Sequence, residues 1–458
     1  MRFILLSYIL LISSFVSAQN HIAGNWWGTL RTPSQNLRLA FRIVCSSGEI
    51  KTTMDSPDQG AMGLLVNHTV FHADTIKMSL TELRASYVGV LKGDGSIEGT
   101  FKQSGMSFPL NLHCGEVELN RPQTPKAPFD YQVEEVRFIN KHAGNIQLAG
   151  TLTLPKNVAK APVAVLISGS GLQDRNESIY GHKPFAVMAD YLTNRGIAVL
   201  RFDDRSFGES EGDATHATTA DFATDVEAAI DFLRKRKDID KKRIGLIGHS
   251  EGGLIAPMVA AQRKDVAWVV LLASPGVSGN ELLLEQQQLM GKAGGMNDKQ
   301  LEALQYNNAK MFDIVKSSAT KEQASDSIWN YMEASGLMQE FTFNRAAFAK
   351  QVEQLTTDWM LYFLKYDPTE VLPQVKCPVL ISNGKKDLQV SVKQNVPPLR
   401  LALKLSGNKQ VTVKEYEDLN HLFQECRTGS IGEYSLLEQT ISPQVLQDIC
   451  AWVSKECE

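Results

Sequence analysis

The segment Gly248-His249-Ser250-Glu251-Gly252 follows the apolar run Ile244 to Ile247 and leads into a helical pattern. A serine between two glycines in a strand–turn–helix setting is a strained elbow that exposes its hydroxyl, and only side-chain-free neighbours fit so tight a turn. The chemistry on offer is nucleophilic attack on an acyl carbon. The alternative is a Gly-rich turn whose serine caps the helix.

A serine hydroxyl needs a general base, and in this setting the chain order is Ser, then Asp or Glu, then His. Of the nine histidines only His421 follows Ser250. It sits in Asp418-Leu419-Asn420-His421, just after a strand-like run. The orienting acid must lie between them. Asp387, behind the strand-like Pro378 to Asn383, occupies the carboxyl end of a strand, where open α/β sheets gather functional groups. Asp418 competes, but it shares the loop of His421. His249 adjoins Ser250, and its side chain should leave the turn in another direction.

The oxyanion needs two backbone donors. The amide of Glu251 stands at the helix N-terminus directly after the nucleophile. The second is expected from Ser168-Gly169-Ser170-Gly171, with the Ser170 amide as the choice. Gly171 in that loop, and Gln287 and Met290 further on, are candidate substrate contacts; solvated surface or helical core is the plainer reading of the last two. No metal-ligand spacing and no phosphate-loop pattern occurs, so the chemistry calls for no cofactor.

The positioning elements follow from the wider pattern. From about residue 131, strand-like and helical stretches alternate, the signature of a mostly parallel sheet with helices on both faces. Residues 276–370 interrupt this alternation with helical patterns rich in methionine and aromatic residues. They read as a cap between two parts of one α/β domain, 131–275 and 371–458, with an apolar ceiling or simply a helical core. Residues 19–121 read as a small all-β barrel or sandwich. Within it, Tyr87 to Leu91, Gly93-Asp94-Gly95 and Ile97 to Phe101 form a strong hairpin signal. The proline-rich 122–130 is a linker. One of Trp26 and Trp27 must face inward by strand alternation.

Residues 1–18 carry Arg2, an apolar run and Val16-Ser17-Ala18, the grammar of a cleaved signal peptide, so export to the periplasm or beyond is expected. The run is too short to span a bilayer. In an oxidising compartment Cys45 and Cys114 could bridge; buried thiols are an equal alternative. The 458 residues carry 47 basic and 51 acidic side chains, a net charge of −4, which argues against nucleic acid as a partner. The sequence leaves the oligomeric state open, a homodimer included.

Together these residues resemble the α/β-hydrolase superfamily over roughly 130–456. Ile167-Ser168-Gly169-Ser170-Gly171-Leu172-Gln173-Asp174-Arg175 resembles the oxyanion loop of bacterial members, with Ser168 where His is usual and Leu172 where Pro is usual. Phe202-Asp203-Asp204-Arg205-Ser206-Phe207-Gly208 resembles the family's Asp-x-Arg-Gly loop, with Ser206 for Gly, and its charges are read as braces. Gly24-Asn25-Trp26-Trp27-Gly28 and Met54 to Gly60 resemble the β domain of secreted bacterial carboxylesterases with a helical cap. The resemblance implies a broad esterase acting on small-molecule esters. The same site would serve a serine peptidase, and a vestigial hydrolase that only binds a ligand is the third reading.

Overall fold

The computed structural model describes residues 22–458 except 33–35, 47–48, 60, 116, 118, 340–343 and 406. The signal-peptide reading of residues 1–18 lies outside the described residues. The chain divides into two compact units: one runs to Asn120 and takes in Tyr434–Glu438, the other covers Arg121–Glu433 and Gln439–Glu458.

In the first unit, strands alternate inward apolar and outward polar residues, as half-buried antiparallel sheets require. One five-stranded sheet joins Gly24–Arg31, Asn36–Ser46, Glu49–Ser56 and Ala61–Val66, with His113–Cys114 at its edge. The other runs in chain order from His68–His72 to Met106–Pro109. The expected hairpin closes with Leu91 opposite Ile97. Both sheets feed one core, in which Phe41 and Tyr87 stack at 5.8 Å. Trp26 is buried there, whereas Trp27 faces outward and is half-buried.

The bridge weighed between Cys45 and Cys114 does not form, and no disulfide occurs among the described residues. Cys114 pairs with Trp26, and Cys45, on the strand beyond, pairs with Ile50. The intervening strand holds them two strand spacings apart, roughly 9.5 Å across the sheet, and Cys45 lies four residues past Phe41, the partner of Trp26, roughly 13 Å further along. Disulfide geometry reaches only about 7 Å between Cα atoms.

The second unit carries an eight-stranded sheet: β1 (Tyr131–Asn140), β2 (Ile146–Pro155), β3 (Ala161–Ile167), β4 (Ala198–Phe202), β5 (Ile239–His249), β6 (Val266–Leu272), β7 (Val379–Gly384) and β8 (Val411–Tyr416). The order is β1-β2-β4-β3-β5-β6-β7-β8. The β1–β2 and β2–β4 pairs are antiparallel, and the rest are parallel. Strands such as β3 and β6 are apolar almost throughout because both faces are covered. On one face pack α1 (Pro184–Thr193) and the C-terminal helix Pro443–Glu456, through Phe185, Met188 and Ile449. On the other pack α2 (Thr219–Lys235) and α3 (Gly252–Gln262), through Val226, Ile230, Ile255 and Val259.

Among the described residues five α-helices lie between β6 and β7: α4 (Gly279–Ala293), α5 (Asp298–Ser317), α6 (Lys321–Ala334), α7 (Arg345–Leu355) and α8 (Asp358–Lys365). Each starts at a polar cap that satisfies its first amides, with reciprocal capping boxes at Ser278/Glu281 and Asn297/Gln300. They share an apolar core of their own around Phe312, Val315, Ile328 and Val352. No helix among the described residues is long and apolar enough to cross a membrane.

Candidate active site

Ser250 sits between β5 and α3 with φ of +54°, a left-handed conformation that costs a side-chain-bearing residue energy. Its amide donates to Leu272 O at 2.9 Å, which pins the turn to β6. The flanking glycines are required by space. A Cβ on Gly248 would lie 2.0 Å from Gly252 O, and one on Gly252 would lie 2.2 Å from Ile167 O.

Asp387 follows β7 and is buried. Its Oδ1 accepts the amides of Gln389 and Val390 at 2.8 and 2.9 Å. That leaves Oδ2 for His421 Nδ1, at 2.8 Å. Asp418, the competing acid, points elsewhere: its side chain is 71% exposed and pairs with Lys386 at 2.9 Å. Ser250, His421, Ser170 and Glu251 all line one cavity of about 230 Å³. Its apolar wall includes Leu282, Leu283, Phe363 and Leu422. The structure thus gathers the sequence-predicted nucleophile, base and oxyanion residues around one space, with the acid behind the base. The Glu251 amide precedes the first turn of α3, so it has no intrahelical acceptor.

Two of the expected substrate contacts lie elsewhere. Gln287 turns toward α5 and accepts from Asn308 Nδ2 at 2.6 Å, and neither it nor Met290 lines the cavity. Gln286 lines it instead, because it lies one helical turn after Leu282 on the same face of α4, and the next residue is rotated by about 100°. Gly171 opens onto a neighbouring cavity.

Several functional neighbours escaped sequence reasoning. His249 places Nε2 3.0 Å from His421 O and Nδ1 2.8 Å from Glu177 Oε1. Glu177 also accepts the Gly169 amide at 2.8 Å, so one carboxylate holds both the elbow histidine and the loop that carries Ser170. The Glu251 carboxyl is buried and accepts from Thr219 Oγ1 and Trp359 Nε1, both at 2.7 Å. The Ser170 hydroxyl also bonds to it, which links the two oxyanion residues through their side chains. Burial raises this carboxyl above the usual range, and those donors oppose the rise. Its chain position marked its amide but carried no signal for its side chain.

The loop charges act as braces. Arg175 grips Asp203 in bidentate fashion at 3.0 and 2.6 Å and also pairs with Glu135 and Glu209. Arg205 does the same to Asp225 at 2.8 and 3.0 Å. Asp174 caps the turn at Asn176 and Ser178. Asp204 receives the Gln173 amide at 2.8 Å and Ser168 Oγ at 3.0 Å, and burial pushes its carboxyl up to about 8. Among the described residues no group of three or more His, Cys, Asp or Glu could hold a metal ion.

Residues 182–425 match the family model described as serine aminopeptidase, S33. Among curated proteins, the chain is 27% identical over 308 residues to esterase EstD of Thermotoga maritima. That match covers 67% of this chain and 66% of EstD, so the chain spans just under two thirds of that relative. Among solved structures, the Pyrococcus furiosus esterase Pf2001 is similar with a TM-score of 0.46 and 15% identity, covering 75% of this chain and 100% of that one. Est1E of Butyrivibrio proteoclasticus with bound ferulic acid gives a TM-score of 0.40 and 16% identity, covering 70% of this chain and 96% of that one.

Proposed function

The chain belongs to the α/β-hydrolase family described as serine aminopeptidase, S33, and we propose that within it the protein is an exported serine esterase. Ser250 attacks the acyl carbonyl while His421 Nε2 takes its proton, and Asp387 holds the ring through Nδ1. The amides of Glu251 and Ser170 receive the oxyanion. His421 returns the proton to the leaving alcohol, and water then releases the acyl group by the same steps in reverse. No part of this sequence needs a metal or an organic cofactor.

The observation that carries the reading is the 2.8 Å contact between His421 Nδ1 and the buried Asp387 Oδ2, with His421 and Ser250 lining one cavity that has an apolar wall. Small-molecule esters with short to medium acyl or aryl groups suit that wall. EstD, by its name an esterase, supports the same choice. Labelling of the wild type by a fluorophosphonate probe, lost in Ser250→Ala, is the expected result. A folded wild type that takes no label would overturn the assignment and favour a ligand-binding role.

Aminopeptidase activity is the second reading, favoured by the family description and by two carboxylates, Glu177 and Glu251, at the cavity wall. A substrate ammonium would need one of them, and both are already engaged by His249, Thr219 and Trp359. Turnover of aryl acetates and butyrates beside aminoacyl anilides separates the two: cleavage of anilides alone would overturn the esterase reading. Export rests on the residue pattern of 1–18, and N-terminal sequencing of protein from the culture fluid or periplasm should find Gln19 first.

A further inference from the structure

Trp359 is the second residue of α8, and its orientation is fixed from two sides. Its Nε1–H donates to Glu251 Oε1 at 2.7 Å, and its ring stacks on Phe363 at 4.9 Å with planes 17° apart. One side of the indole borders the 230 Å³ cavity that holds Ser250. The same residue borders a second cavity of about 380 Å³, lined by Gly171, Leu172, Ala214, Ala217 and Phe222 with the two hydroxyl residues Ser206 and Thr215. Of the described residues, Trp359 alone lines both.

The second cavity has no ionisable side chain in its lining. It also begins one residue from Ser170, whose amide is assigned to the oxyanion. A Cβ built on Gly171 meets nothing within 4 Å, so the space beside the oxyanion loop is open at that point. The cavity that holds Ser250 and a second, mostly apolar space are therefore divided by one indole.

We propose that the second cavity is an apolar subsite of the same active site, and that Trp359 is the residue that sets specificity by closing it off. It would take the distal part of a large ester, an acyl chain or an aryl alcohol, when the indole turns off Glu251. This inference rests on the esterase reading above. Apolar groups entering such a space gain by leaving water, in proportion to the area they bury.

The test uses the full-length enzyme and two ester series. One varies the acyl chain from acetate to dodecanoate on nitrophenol; the other holds acetate and varies the alcohol from ethanol to naphthol. Trp359→Ala joins the cavities, so the kcat/KM ratio of the largest to the smallest member should rise about tenfold in one series, the worth of burying roughly two methylenes. The series that responds identifies which end of the ester enters. Ala214→Trp, added to that variant, refills the second cavity and should abolish the gain. A folded, active Trp359→Ala enzyme with both profiles unchanged overturns the proposal, as does a gain that Ala214→Trp leaves intact. A wild type inert toward every ester overturns the esterase reading and the proposal with it; activity with flat profiles overturns the proposal alone.

Discussion

His249 bridges two acceptors: the main-chain oxygen of the base His421 at 3.0 Å and the carboxylate of Glu177 at 2.8 Å. A neutral imidazole has only one N–H, so satisfying both acceptors requires the charged ring. Burial works against that charge, but the Glu177 carboxylate and the bond to His421 O outweigh it, and the ring's pKa is raised. The two acceptors thus favour the charged form of the residue before the nucleophile, which holds the base by its backbone. The rings of His249 and His421 lie 4.8 Å apart.

His249→Gln can keep one of the two bonds and loses the charge. It leaves Glu177 buried without its cation, which typically costs about 3–5 kcal/mol. Urea unfolding should show that loss, and adding Glu177→Gln should recover part of it. We also expect kcat to fall by roughly 10- to 100-fold with KM little changed, as happens when a positioning contact goes. Equal stability of wild type and His249→Gln would remove the ion pair from the account.

The same pair fixes a pH dependence. Unfolded, the ring titrates near 6.5. Folded, its pKa is higher. The stabilisation is therefore whole below about 6.5 and is lost as the pH rises through the folded-state value. The stability gap between wild type and His249→Gln should be widest in acid and shrink in alkali. A gap that widens with pH would mean that the ring is neutral in the fold.

Asp387→Asn tests the orienting acid without changing its shape. Oδ1 already receives two amides, so the asparagine must turn its oxygen to Gln389 and Val390 and its NH2 to His421 Nδ1. That forces the proton onto Nε2, the atom that has to accept from Ser250. We expect kcat for esters to fall about 10⁴-fold with the near-UV spectrum unchanged. A loss below tenfold would move the acid's role elsewhere.

What the sequence makes legible here is what is local or ordered along the chain. Ser250 is visible because its pattern is local and Gly248 is forced by Gly252 O four residues on, although Gly252 is forced from a distant strand by Ile167 O; His421 is visible because no other histidine follows Ser250. The alternation at Trp26 and Trp27 places one tryptophan in the core through strand geometry alone. The Glu177–His249 pair spans 72 residues and ends in an irregular loop, where Glu177 has φ of +52°, so neither periodicity nor spacing announces it. Gln286 rather than the expected Gln287 lines the cavity, because a run of three glutamines gives no helical phase of its own; packing of Leu282 supplies it. Cys45 and Cys114 show the limit of compartment arguments, since strand order decides which thiols can meet. Trp359 lies in an insertion whose helices pack first on each other, and only the fold reveals that its indole reaches Glu251.

Asp204 gives stability a second pH dependence. Burial pushes its carboxyl up to about 8, and the Gln173 amide and Ser168 hydroxyl only partly oppose this. Unfolded, the group ionises near 3.9. Between those values the folded protein keeps a proton that the unfolded chain gives up, so this residue's contribution is whole below about 3.9 and is lost as the pH rises through 8. Each pH unit in that window costs about 1.4 kcal/mol for a fully shifted group, an upper bound on the slope. Asp204→Asn keeps an oxygen for the Gln173 amide and can turn its NH2 to Ser168 Oγ, with nothing to ionise. Its stability relative to wild type should therefore climb from pH 4 to pH 8 and level off beyond, as read from urea midpoints at pH 5, 7 and 9. Parallel curves for the two proteins would show that the carboxyl is ionised in the fold, and that the Gln173 amide and Ser168 hydroxyl outweigh its burial.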